Sequence, residues 1–132
     1  SQTLRHFDIY LNNIMAGSYT ISSDDRLKHN ERDVSNALLT INKINPKIYV
    51  KTIDISSNVS DGSISSGYIA QDISNIIELS HSVNNDKYLS INYNFIQPYI
   101  TQSIKELDNL LSSNDISINN IINMVSLLES RT

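Results

Sequence analysis

ITQSIKELDNLLSSNDISINNIINMVSLL, residues Ile100 to Leu128, sets the architecture this chain can build. Its apolar residues fall at alternating steps of four and three: Ile100, Ile104, Leu107, Leu111, then Ile118, Ile121, Val125 and Leu128. The frame runs through Asn114 without a stutter, which makes a heptad seam of roughly four repeats. Isoleucine takes two places in each of the two seam rows, Ile100 and Ile121 in one and Ile104 and Ile118 in the other, and in parallel coils isoleucine at both positions moves the preference from dimers to trimers or tetramers. The spacing therefore predicts a long C-terminal helix, over about 95–131, that joins a trimeric coiled coil. Asn114 fits two arrangements. Either it sits in the seam and fixes register, or Ser112-Ser113-Asn114-Asp115 is a break with Asp115 capping a second helix that folds back. The continuous helix is the reading adopted.

Upstream of the seam the pattern becomes mixed. Tyr88 to Ile91 predicts a short strand, and Ile69 to Ile77 includes a short helix. The Ser/Asn/Asp/Gly-rich stretch Ser56 to Ser66 predicts a mobile loop. Lys47 to Ile55 predicts a strand through Ile48, Val50, Ile53 and Ile55. A helix is expected from Glu31 or Asp33, with Val34, Ala37, Leu38 and Ile41 at helical spacing, stopped by Asn45-Pro46. Up to about Thr20 the chain reads as extended: Phe7, Ile9 and Leu11 alternate with Asp8, Tyr10 and Asn12, and Tyr19 and Ile21 resume the pattern after Gly17. The expected fold is α+β, a small mixed domain with a β-rich stalk remnant at its N-terminus and a long C-terminal helix. No internal repeat is evident.

Composition removes several function classes. At 132 residues the chain is one domain's worth, enough for a modest core. It has no cysteine, hence no disulfide framework and no thiol chemistry. A net charge of −4 and a pI near 5.2 argue against a nucleic-acid partner. No apolar run approaches the roughly 18 residues of a membrane span, and no signal peptide is visible, so no membrane partner is expected. Beginning at Ser1, the chain reads as a piece of something longer. The sequon Asn58-Val59-Ser60 carries little weight without a secretion signal.

The chemistry-bearing stretch is Ser22-Ser23-Asp24-Asp25-Arg26-Leu27-Lys28-His29-Asn30. A serine hydroxyl is a weak nucleophile at neutral pH unless a base takes its proton, and an unprotonated lysine amine can be that base. Serine–lysine pairs are a variant of the serine–histidine–acid arrangement. Five residues is not a same-face helical interval, so Ser23 and Lys28 meet only if the chain turns between them. The bland alternative is a polar turn in which Ser23 or Asp24 caps a helix. His29 is the rival base, since it titrates near neutrality. His6 and His81 stand alone, without a partner at metal-ligand spacing. The acidic group Asp24, Asp25, Glu31 and Asp33 reads as a solvated, helix-capping face. No cofactor and no metal are expected.

Ser23, Asp24, Arg26, Leu27, Lys28 and Asn30 together form a string that resembles the start of a known domain. It is the C-terminal intramolecular chaperone auto-processing domain of phage endosialidases, tailspikes and tail fibres, also found in myelin regulatory factor proteins. Its members begin Ser-Asp-x-Arg-Leu-Lys-x-Asn. Gly67-Tyr68-Ile69-Ala70-Gln71-Asp72-Ile73 is similar to the family's second segment. Tyr93-Asn94-Phe95-Ile96 through Ile104-Lys105-Glu106-Leu107 is similar to its entry into a long terminal helix. The resemblance runs from Ser22 to the C-terminus and departs from the pattern at Glu31, where the family carries an apolar residue.

The resemblance implies a homotrimer that helps the preceding stalk or fibre segment of its own chain to fold, then cuts itself off. The scissile bond would be Ser22–Ser23, with Ser23 the nucleophile, Lys28 the general base, and Asp24, Arg26 and Asn30 supporting the motif. Residues 1–22 would be the end of the stalk and 23–132 the auto-processing domain. The parent would be a virion fibre or tail precursor, processed in the host cytoplasm. Gln71 and Asp72 would be a first helical turn and not catalytic, and Tyr93 and Tyr99 would serve packing. The alternative within the resemblance is a non-cleaving, permanent trimerisation cap or attachment module.

Overall fold

The structure, a computed structural model, describes Leu11 and residues 13–131. Phe7, Asp8, Ile9, Tyr10, Asn12 and His6 lie outside the described residues. The chain divides into two compact units, with the boundary between Arg32 and Asp33.

In the first unit the described residues ahead of the serine motif form no helix or strand, and all are exposed. A strand exists only when a neighbour pairs its backbone, and the period-two pattern at Tyr19 and Ile21 meets no such partner among the described residues. One 3₁₀ turn, Asp25–Leu27, closes the motif.

The second unit is α+β. In chain order it comprises α1 (Ala37–Ile41), β1 (Lys47–Asp54), β2 (Val59–Gly67), α2 (Ala70–Ser74), a 3₁₀ helix (Ile77–Ser82), β3 (Val83–Asn85), β4 (Leu89–Ile91) and α3 (Tyr93–Glu129). The strands make two antiparallel two-stranded sheets, β1–β2 and β3–β4. Ile73, Ile76, Leu79 and Ile96 form the buried centre, flanked by Ile41, Ile44, Tyr68, Val83, Ile91, Phe95 and Tyr99. Each fully buried isoleucine or leucine contributes about 1.5–3 kcal/mol, so this centre anchors the start of α3 to α2 and the small sheet.

α1 begins at Ala37, several residues later than the expected Glu31 or Asp33. Asn36 adopts φ 52°, the left-handed region, which a right-handed helix cannot pass through. With no side-chain cap from Asn36, the first turn is capped across the fold by Glu106 of α3. Its Oε1 accepts from the Ala37 N–H (3.1 Å) and its Oε2 from the Leu38 N–H (2.8 Å). These hydrogen bonds, Leu38's first and Ala37's second, hold the Glu106 carboxyl below its usual range. α1 lies against α3, with Ala37 and Thr40 buried.

The expected loop at Ser56–Ser66 is a correction: most of it is strand β2. Pairing with β1 in the register Ile48↔Ser66 and Val50↔Ile64 overrides a serine-rich composition. The register slips between Val50 and Thr52, close to Gly62, whose φ of 75° suits a bulge. The Asp54 carboxylate accepts from the Ser56 N–H and from the Ser56 and Ser57 hydroxyls, which closes the turn that the left-handed Asn58 completes.

α3 is one uninterrupted helix through Asn114, about 55 Å long at 1.5 Å per residue. No break occurs at Ser112–Asp115. Asn92 caps it by accepting from the Asn94 N–H at 3.1 Å. Pro98 lies in the second turn, where it leaves the Asn94 carbonyl without an i+4 donor. From Leu107 onward every described residue of the helix is exposed, seam included.

Candidate active site

The 3₁₀ turn does what the five-residue spacing required. The Leu27 N–H bonds the Asp24 carbonyl (3.0 Å) and the Lys28 N–H bonds the Asp25 carbonyl (2.9 Å), which reverses the chain between Ser23 and Lys28. Lys28 Nζ then reaches back to donate to Ser23 Oγ at 2.8 Å and to the Ser23 carbonyl at 3.1 Å. That first distance lies within proton-transfer reach. His29 adjoins Lys28 in sequence, yet the hydrogen-bond partner of Ser23 Oγ is Lys28.

Asp24 caps the turn and takes no part in the serine–lysine contact. Its Oδ1 accepts from the Arg26 N–H and from Arg26 Nε, both at 2.9 Å, and its Oδ2 accepts from Arg26 Nη2 at 2.7 Å. The Arg26 guanidinium, aided by the Arg26 N–H, holds the Asp24 carboxyl below its usual range, while Asp24 raises the guanidinium above its own. Asn30 follows with φ 54°, a left-handed conformation that asparagine tolerates better than most residues, and it bends the chain away after Lys28. Ser22, Ser23 and Lys28 are all exposed. Among the described residues no hydrogen-bond donor meets the Ser22 carbonyl.

The second motif segment packs on the start of the long helix. The Tyr68 N–H donates to Tyr93 Oη at 3.2 Å, and the two rings stack with centroids 5.3 Å apart. A Cβ at Gly67 would lie 2.6 Å from Tyr93 Oη and 3.3 Å from Tyr49 Oη, so any larger residue forces the Tyr93 hydroxyl to shift. Gln71 and Asp72 stand exposed in the first turn of α2. Tyr99 donates from its hydroxyl to the Glu78 carbonyl at 3.2 Å and stacks on Phe95. Glu106, which ties α1 to α3, is the residue sequence reasoning missed. It sits in the quoted segment Ile104-Lys105-Glu106-Leu107, but nothing local says that its carboxylate caps a helix 68 residues upstream.

Among the described residues no group of three or more His, Asp or Glu side chains is placed to hold a metal ion. The acidic residues near the motif do not converge. Among the same residues no helix is long and apolar enough to cross a membrane.

Residues 23–80 match the model of the Peptidase_S74 family, described as chaperone of endosialidase. Residues 23–80 are thus similar to a domain of this endosialidase-chaperone type, and the match opens on Ser23 itself. The matched residues take in the serine–lysine turn, α1, the β1–β2 hairpin and α2, and end within the 3₁₀ helix that follows. α3 lies beyond them. The family is by description one of chaperones and by class one of peptidases. No curated protein matches the chain.

Proposed function

We propose that this domain trimerises through α3, assists the folding of the segment that precedes it in its own chain, and then releases itself by cutting Ser22–Ser23. The carrying observation is the 2.8 Å contact of Lys28 Nζ with Ser23 Oγ. In its unprotonated form Lys28 takes the hydroxyl proton as Ser23 Oγ attacks the Ser22 carbonyl carbon. The Ser22–Ser23 C–N bond then breaks, and the proton passes from Lys28 to the departing Ser23 nitrogen. Ser22 is left as an ester on Ser23 Oγ. Water hydrolyses that ester, giving a Ser22 carboxylate and the restored Ser23 hydroxyl. Nucleophile and carbonyl belong to adjacent residues, so proximity supplies much of the rate and no substrate pocket is needed.

Support for the trimer comes from the exposed seam. Ile104, Leu111, Ile118 and Val125 on one row are 62, 56, 53 and 48 % exposed. A helix this long, carrying an apolar seam and no partner, is stabilised mainly by packing that seam against other helices. Trimerisation also supplies a gate: burial favours an amine without its proton, and Lys28 in a single chain is exposed. The parent in this reading is a viral fibre or tail precursor, processed in the host cytoplasm. A permanent, non-cleaving cap is the second reading, favoured by a Ser22 carbonyl that meets no hydrogen-bond donor among the described residues.

Intact mass of wild type beside Ser23→Ala and Lys28→Met tests the cut. Wild type alone should yield a fragment beginning Ser23-Asp24-Asp25. Three intact trimers would reject cleavage in favour of the cap, and equal cutting in all three would assign it to a contaminating protease.

A further inference from the structure

We propose that Asp24 and Arg26 form a positioning clamp, which holds the turn closed and keeps the Asp24 carboxylate off the Lys28 amine. The inference rests on the self-cleavage proposed above. Asp24 adjoins the nucleophile, four residues before the base, so its carboxylate is the acid best placed to capture Lys28. A carboxylate beside a lysine favours the ammonium form, which cannot accept a proton. Three hydrogen bonds from Arg26 occupy that carboxylate instead, using both of its oxygens. The fork of a guanidinium is the side chain suited to this, since it meets both oxygens in one plane and keeps its charge.

Stability does not account for the pair. Its side chains are 87 and 43 % exposed, and exposed ion pairs contribute little to folding. Its geometry serves the turn instead: the same Asp24 oxygen that takes Arg26 Nε also accepts the Arg26 N–H and caps the 3₁₀ helix. The electrostatics agree: the hydrogen bonds of Arg26 do most to depress the Asp24 carboxyl, and the charge of Lys28 adds a smaller part. Asp25, His29 and Glu31 are the other titratable groups adjoining the turn in sequence, and none of them hydrogen-bonds Lys28 Nζ.

The test compares cleavage rates of the full chain in four forms: wild type, Arg26→Gln, Asp24→Asn and the double variant. Arg26→Gln frees the carboxylate and should slow cleavage about 100-fold, the scale of a misplaced catalytic group. Asp24→Asn keeps an oxygen to accept the Arg26 N–H and should stay within about tenfold of wild type. The double variant lacks the competing carboxylate and should run at least about tenfold faster than Arg26→Gln alone. A clamp that only shapes the turn predicts the reverse order, so a double variant as slow as Arg26→Gln overturns the carboxylate argument. Arg26→Gln cutting at the wild-type rate overturns the clamp altogether. In both cases wild type still cleaves, whereas a wild type that stays whole removes the proposed cleavage itself, and the inference with it. Equal helix content by circular dichroism across the four forms separates these effects from unfolding.

Discussion

Gly67→Ala, read together with Tyr93→Phe, probes how the second motif segment is fastened to the long helix. The new Cβ would sit 2.6 Å from Tyr93 Oη, about 0.8 Å inside the 3.4 Å at which ordinary contact begins. Tyr93 cannot tilt away freely. Its hydroxyl accepts the Tyr68 N–H, and its ring lies stacked on Tyr68. Moving it forfeits a hydrogen bond of about 0.5–1.5 kcal/mol and a ring contact of about 0.5–1.5 kcal/mol. The single substitution should therefore destabilise the protein by about 2 kcal/mol, within the usual overpacking range. Removing the Tyr93 hydroxyl removes the 2.6 Å contact and leaves only the milder 3.3 Å approach to Tyr49 Oη, since the third-nearest atom is a Tyr49 ring carbon at 3.7 Å and no Tyr93 ring carbon is nearer.

Alanine at position 67 should thus cost at least about 1 kcal/mol less in the Tyr93→Phe background than in wild type, a coupling well outside additivity. The assay is urea unfolding of the four proteins at one protomer concentration, since the stability of an oligomer depends on concentration. Additivity of the two changes within about 0.5 kcal/mol would refute the packing described for Gly67, Tyr68 and Tyr93.

Two further predictions address assembly and acid stability. Ile118→Asp places a charge in the proposed seam, where each isoleucine contributes about 1.5–3 kcal/mol on full burial. The variant should sediment as a monomer at micromolar concentration and cleave far more slowly, and a cleaving monomer would refute trimer gating. Glu106→Gln removes the carboxylate cap of α1. Because the folded-state value of Glu106 is depressed, its contribution is complete above the ordinary glutamate range and disappears as pH falls through the depressed value. Glu106→Gln should therefore lose stability at pH 7, approach wild type in strong acid, and show a flatter acid limb in thermal melts across that window.

What the sequence disclosed depended on how local the cause was. The heptad from Ile100 to Leu128 depends on residue spacing alone, and α3 appeared with its frame unbroken at Asn114. β1 was legible from local composition, through the β-branched residues Ile48, Val50 and Ile53. Its partner was not, because Val59–Gly67 becomes a strand only by pairing with β1. The start of α1 was misplaced for want of two facts that no local pattern carries, the left-handed Asn36 and a cap delivered by Glu106 from α3. β3 and the 3₁₀ helix before it were too short to leave a period. At the candidate site the residue types and order were visible, but the contact between Ser23 and Lys28 depends on a turn whose closure involves Asp24 and Arg26. That pairing was only one of several open to the neighbouring charges.

How the Ser22–Ser23 bond breaks decides whether Ser23 is the nucleophile. Hydroxylamine added during cleavage attacks an ester at once, so the released N-terminal fragment should carry a hydroxamate at Ser22, with the companion fragment starting at Ser23. Detection of that hydroxamate by mass spectrometry in wild type, and of no cut in Ser23→Ala, is the predicted result. A Ser22 fragment that bears only a carboxylate under the same trap, or a cut at another bond, would contradict Ser23 as the nucleophile.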